Sequence, residues 1–102
     1  MRIFLTDGAS SDLESVKLWS ERNWPGAIAA KYLGRIRASI SALADFPELA
    51  PRRPGHDGER QRTVGSHVVI YSVNGDLVEI LRVAHFRTLD WEASDNPEKT
   101  TD

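Results

Sequence analysis

The chain contains no cysteine. That excludes disulfide staples and every zinc or iron–sulfur site built on thiolates, and it fits a cytoplasmic protein. No run of 18 apolar residues is present, so no transmembrane helix and no membrane partner are expected. The opening MRIFLTDGASSD carries too short an apolar stretch for a signal peptide. A basic excess is also missing: 13 Lys and Arg stand against 15 Asp and Glu. A protein that grips nucleic acid through many phosphates needs such an excess, so any contact with DNA is expected to be indirect. The three histidines, His56, His67 and His85, form no HxxxH or HExxH pattern, and no metal site is expected. Gly55 and Gly58 lack the strand and the G-K-[ST] of a phosphate loop. No serine sits in a nucleophile elbow. No cofactor is implied.

What remains is an ordinary globular composition, 40 % apolar and 27 % charged over 102 residues. Such a chain can bury roughly 65 % of its open surface, enough for one core. We read residues 1–91 as a single domain. Residues 92–102, with Glu92, Asp95, Glu98 and Asp102 against Lys99, read as an acidic, solvated tail.

Residues 2–6 read as a short strand ended by Asp7-Gly8. Ser11-x-x-Glu14 is a capping-box pattern that places a helix start there, followed by Leu13, Val16 and Trp19 on one face. Asn23-Trp24-Pro25-Gly26 breaks that helix, and Pro25 suits the first position of a second one. Ala29, Leu33, Ile36, Ile40 and Leu43 then recur at helical spacing up to a stop at Phe46-Pro47. So short a link makes the two helices an antiparallel hairpin. Residues 47–58 have neither strand nor helix pattern and read as a long irregular loop.

Three strands follow: residues 60–64, His67 to Val73, and Leu77 to His85. Asn74-Gly75 is the strongest hairpin signal in the chain. With that pair as the turn, Tyr71 and His67 share a face with Arg82, and Val68, Ile70, Leu81, Val83 and His85 share the other. A three-residue Asn74-Gly75-Asp76 loop would swap this relation, and the pattern leaves both open. The order β-α-α-β-β-β gives an α+β fold: a helical hairpin packed on a small, mainly antiparallel sheet.

Several of these segments together carry a resemblance: Leu13 to Trp19 with Trp24-Pro25, Leu43-Ala44-Asp45-Phe46-Pro47, Arg60-Gln61-Arg62, the Tyr71 strand, and Ile80 to Arg87. In order and spacing, over roughly residues 1–91, they resemble the ParE branch of the RelE/ParE toxin superfamily. The resemblance implies a small bacterial toxin paired with an antitoxin, which binds operator DNA on behalf of the complex. The ParE branch poisons DNA gyrase; the RelE branch cuts messenger RNA on the ribosome. Three functions follow as expectations. The leading one is a gyrase-binding toxin with a ParD-like antitoxin in a hetero-oligomer. The second is a ribosome-dependent endoribonuclease, and the third an inactive scaffold derived from a toxin.

The ribonuclease reading places His85, Arg62, Arg82 and Tyr71 in one site. A histidine there can protonate a leaving 5′-oxygen, with the arginines stabilising the phosphorane. The structural alternative has His85 capping the sheet edge with a backbone hydrogen bond. For a base the sequence offers only Glu48, Glu59 and Glu79, and no lysine falls between 32 and 98. The partner-binding reading uses Arg60, Arg62 and Arg82 as one guanidinium cluster, with Arg52 and Arg53 as an exposed loop pair. Its structural alternative is ordinary surface pairing with Glu59, Glu79 or Asp90. Trp19 and Trp24 read as hairpin packing, with an interface anchor as their second role.

Overall fold

The computed structural model describes residues 1–88. Its elements are β1 (Arg2–Leu5), α1 (Asp7–Asn23), α2 (Gly26–Ala42), β2 (Arg60–Val64), β3 (His67–Asn74) and β4 (Leu77–His85). The expected order holds. The strands form one sheet, β1-β4-β3-β2, in which only the β1–β4 pair is parallel. Asp90 and the acidic tail of residues 92–102 lie outside the described residues. Among the described residues no helix is long and apolar enough to cross a membrane.

The first helix starts earlier than the capping-box pattern indicates. Thr6 is the N-cap: its Oγ1 accepts from Ala9 N at 3.1 Å and donates to Ile80 O at 2.9 Å. One hydroxyl therefore ties the helix start to the end of the β1–β4 pairing. Asp7 complements the helix dipole in the first turn, and Ser11 and Glu14 fall inside the helix. At the corner, Trp24 N donates to Ser20 O, and Pro25 O accepts from Ile28 N and Ala29 N, which makes Pro25 the N-cap of α2. That helix ends at Ala42, four residues short of the expected stop. Phe46 is left 63 % exposed.

The core lies between the helical hairpin and one sheet face. Leu13 and Val16 of α1 and Tyr32, Ile36 and Ile40 of α2 meet Val69, Tyr71, Val78, Ile80 and Val83. Leu33, expected on the buried stripe, is only partly buried, and Tyr32 takes the place beside it. Each fully buried aliphatic, such as Ile36 or Ile80, contributes about 1.5–3 kcal/mol.

The β3–β4 hairpin corrects the expected register. Asn74 pairs with Leu77, so the loop is Gly75-Asp76. Only Gly75 takes a positive φ there, 61°, the pattern of a type II′ turn. Tyr71 then pairs with Ile80 and Ile70 with Arg82, leaving Leu81 as the extra residue of a bulge. The bulge inverts the alternation halfway along β4. Tyr71 and His67 therefore share the helical face with Val83 and His85, and Arg82 aligns with Ile70 instead.

The loop of residues 47–58 is irregular but pinned to the β2 edge. Arg52 bridges to Arg60, Gln61 N donates to Pro51 O, and Arg53 N donates to Glu59 O. Tyr71 reaches through the core to donate its hydroxyl to Pro47 O at 2.8 Å.

Candidate functional site

Rings from four elements meet where the helical corner overhangs the open end of the hairpin. Trp19 lies on the core side of α1, one turn beyond Val16. Its ring stands 5.2 Å from Trp24, 5.8 Å from Tyr32, 4.9 Å from His67 and 5.3 Å from His85. His67 and His85 are paired across the ladder, their rings 5.2 Å apart, and Phe86 stacks on His85 at 4.9 Å. Both expected roles of Trp19 and Trp24 begin from this cluster: they pack the corner, and each keeps one side in solvent.

At its centre Tyr32 Oη lies 2.6 Å from His67 Nδ1 and accepts from Ser66 N at 3.0 Å. The hydroxyl has one proton to give. Val64 O is 3.4 Å away, so the proton goes to His67 Nδ1 and the imidazole keeps its own on Nε2. His67 is 3 % exposed. Burial, aided by like-charge repulsion from His85, pushes its pKa down to about 4. Burial also raises the Tyr32 phenol above its ordinary value, outweighing its hydrogen bond to Ser66 and the attraction of Arg35. The pair is thus neutral near pH 7. Sequence reasoning did not assign His67 a role. The signal was its step of two from Val69 and Tyr71, which carries it to the core face.

Beside this cluster runs a groove of about 230 Å³ between α1 and β4, lined by Asp12, Ser15, Trp19, Arg22, Arg82 and His85 among others. β1 ends at Leu5, so β4 beyond Ile80 is an edge that α1 flanks. Asp12 Oδ2 closes part of it by accepting from Arg82 Nε at 2.7 Å and Val83 N at 2.8 Å. Arg22 also went unnoticed in the sequence, although it lies three residues after Trp19 on the same face.

The structure brings Arg82, His85 and Trp19 together and disperses the rest. Tyr71 is wholly buried. Arg60 and Arg62 alternate with Val64 on the helical face of β2, two strands from β4. Arg60 Nη1 donates to Ala50 O at 2.7 Å, and Arg62 Nε is buried without a hydrogen-bond partner. No single guanidinium cluster forms, because Arg60 and Arg62 sit on β2, two strands from Arg82 on β4, and Arg82 turns to Asp12. Arg53 is not exposed as expected; it is bound to Glu59 at 2.8 Å, leaving Arg52 as the exposed member of the pair.

His85 Nδ1 accepts from Arg87 N at 3.1 Å, the backbone bond of the structural alternative. Among the described residues, two of the three carboxylates offered as bases are engaged elsewhere. Glu59 holds Arg53, Glu79 holds Asn74 at 2.8 Å, and the groove's own carboxylate, Asp12, is doubly engaged. Among the described residues no group of three or more His, Cys, Asp or Glu side chains is placed to hold a metal ion.

Residues 3–89 match the family model described as ParE toxin of type II toxin–antitoxin system, parDE. The chain is 38 % identical over 82 residues to Toxin ParE1 of Caulobacter vibrioides, covering 79 % of this chain and 84 % of that protein. Among solved structures it is similar to the chromosomal ParDE system from P. aeruginosa, with a TM-score of 0.73 and 22 % identity over 83 % of this chain and 95 % of that one. It is also similar to the RelB–RelE antitoxin–toxin complex from Methanococcus jannaschii, with a TM-score of 0.60 and 19 % identity over 87 % and 96 % of the two chains. At these identities the structural likenesses speak for the fold.

Proposed function

The chain belongs to the ParE family of toxins of type II toxin–antitoxin systems, and from that premise we propose that it inhibits DNA gyrase by occupying its surface, breaking no bond itself. A ParD-like antitoxin neutralises it in a cytoplasmic hetero-oligomer by laying a segment along the α1–β4 groove, and any contact with operator DNA runs through that antitoxin. The observation that carries this reading is the state of the groove's polar groups. Phosphodiester cleavage needs an acid, a base and cations converging on one phosphate. Here Asp12 holds Arg82, His85 Nδ1 is bonded to backbone, Tyr71 is sealed in the core, and Arg62 lies two strands away. What the groove offers a partner is an aromatic wall, a strand edge and Arg22. That chemistry suits a polypeptide, with apolar anchors giving affinity and the arginines orientation.

Expression in bacteria tests the proposal. Gyrase poisoning induces the SOS response, filamentation and double-strand breaks, and co-expression of the neighbouring open reading frame's product abolishes them. Halted translation with cut transcripts and intact DNA would replace this reading with the endoribonuclease. No growth defect would leave the chain an inactive scaffold.

A further inference from the structure

We propose that a second groove, between the first half of α2 and the β2–β3 turn, seats a segment of the antitoxin that carries a large apolar side chain flanked by carboxylates. This rests on the toxin–antitoxin reading and adds to it a second anchoring point with its own chemistry. The groove has a volume of about 400 Å³. Its floor is Trp24, Ile28 and the ring of Tyr32, its far wall is the Gly65-Ser66 turn, and its rim is Lys31 and Arg35.

Three observations point to that occupant. The first is charge. Lys31 and Arg35 stand one helical turn apart, both exposed, and among the described residues neither side chain makes an ion pair or hydrogen bond. Among the described residues no carboxylate lines this groove, whereas Asp12 lines the α1–β4 groove and Glu48 and Glu59 line the cleft beside Arg52. Two unneutralised cations beside an apolar floor fit carboxylates on either side of an apolar anchor. The second is the apolar surface left in water: Ile28 is 51 % exposed on the helix that forms the floor.

The third is rigidity and continuity. The Tyr32 hydroxyl is fixed by Ser66 and His67, and Gly65, at φ 59°, lies so close that an added Cβ would stand 2.7 Å from the Tyr32 ring. The toxin therefore loses little freedom on binding. Trp24 and Tyr32 touch Trp19, which lines the α1–β4 groove, so one extended segment can cross the helical corner and fill both. A nucleic acid is the weaker fit, because two cations beside an exposed isoleucine do not make a phosphate track.

The test measures the affinity of the full chain for the purified product of the neighbouring open reading frame. Lys31→Glu/Arg35→Glu is expected to weaken binding at least about tenfold and to flatten its salt dependence, and Ile28→Ser to weaken it about fivefold. Lys17→Glu/Arg37→Glu changes net charge equally on exposed positions outside the groove and should stay within about twofold. Unchanged thermal midpoints confirm that all variants fold. Equal weakening by both double variants, or a groove double variant that binds like wild type, overturns the inference while leaving the toxin–antitoxin reading intact. A single-stranded RNA 20-mer that displaces the product from the wild type but not from the groove variant also overturns it. No binding by the wild-type chain overturns the reading and the inference together.

Discussion

His67 should make this fold acid-sensitive in a way that one substitution removes. The imidazole is buried, neutral and hydrogen-bonded to Tyr32, with its pKa lowered to about 4 from the ordinary 6.5. The unfolded chain binds a proton through the whole interval between those values and the folded chain does not. Stability contributed by the neutral ring is therefore complete above about pH 6.5 and drains away as pH falls toward about 4. At about 1.4 kcal/mol per unit, the loss reaches about 2 kcal/mol by about pH 5 and about 3 kcal/mol by about pH 4.

His67→Asn is the matched perturbation, because the amide oxygen can take the place of Nδ1 as acceptor from Tyr32 and does not titrate. Urea unfolding of both proteins at several pH values gives the difference curve, in which the carboxylates common to both cancel. The wild type should be the more stable at about pH 7.5, and its advantage should shrink by about 2 kcal/mol by about pH 5. Parallel curves across this range would refute the reasoning, since they would mean that His67 is charged in the folded protein or reached by water.

Replacing Gly65 with alanine forces a side chain into a left-handed backbone at φ 59° and against Tyr32, so a loss of about 2 kcal/mol or more is expected in the urea midpoint. Asp12→Ala leaves Val83 N without its acceptor and Arg82 without this carboxylate, for a loss of about 1–2 kcal/mol in thermal unfolding. Asp12→Asn keeps an acceptor and should lose less. His85→Ala should leave toxicity within a few fold, because no proton transfer is assigned to it. Toxicity abolished with fold and antitoxin binding intact would promote the endoribonuclease.

Local patterns carried most of the architecture. The stripe from Ala29 to Leu43, the Trp24-Pro25 corner and the valine-rich hairpin each show their period openly, and the element order followed from them. The errors fall where a tertiary contact overrides a local signal. Ser11 and Glu14 make a plausible cap, but Thr6 wins the helix start because its hydroxyl also binds the β4 backbone. The bulge at Leu81 has no signature in composition, and it alone moves Val83 and His85 to the face of Tyr71. Arg60, Arg62 and Arg82 looked like one cluster because strand spacing says nothing about which carboxylate a neighbouring helix will present; Asp12 is 70 residues away in sequence from the arginine it holds. The Tyr32–His67 pair was hidden for the same reason, as its partners come from a helix and a strand 35 residues apart.

We propose that this chain acts by binding gyrase and performs no cleavage of its own. The most direct test is a plasmid supercoiling assay in which the purified chain is titrated into DNA gyrase. We predict that supercoiling stops near stoichiometric amounts of the chain and that the His85→Ala variant does the same. Gyrase that supercoils normally in the presence of excess folded chain would contradict the account.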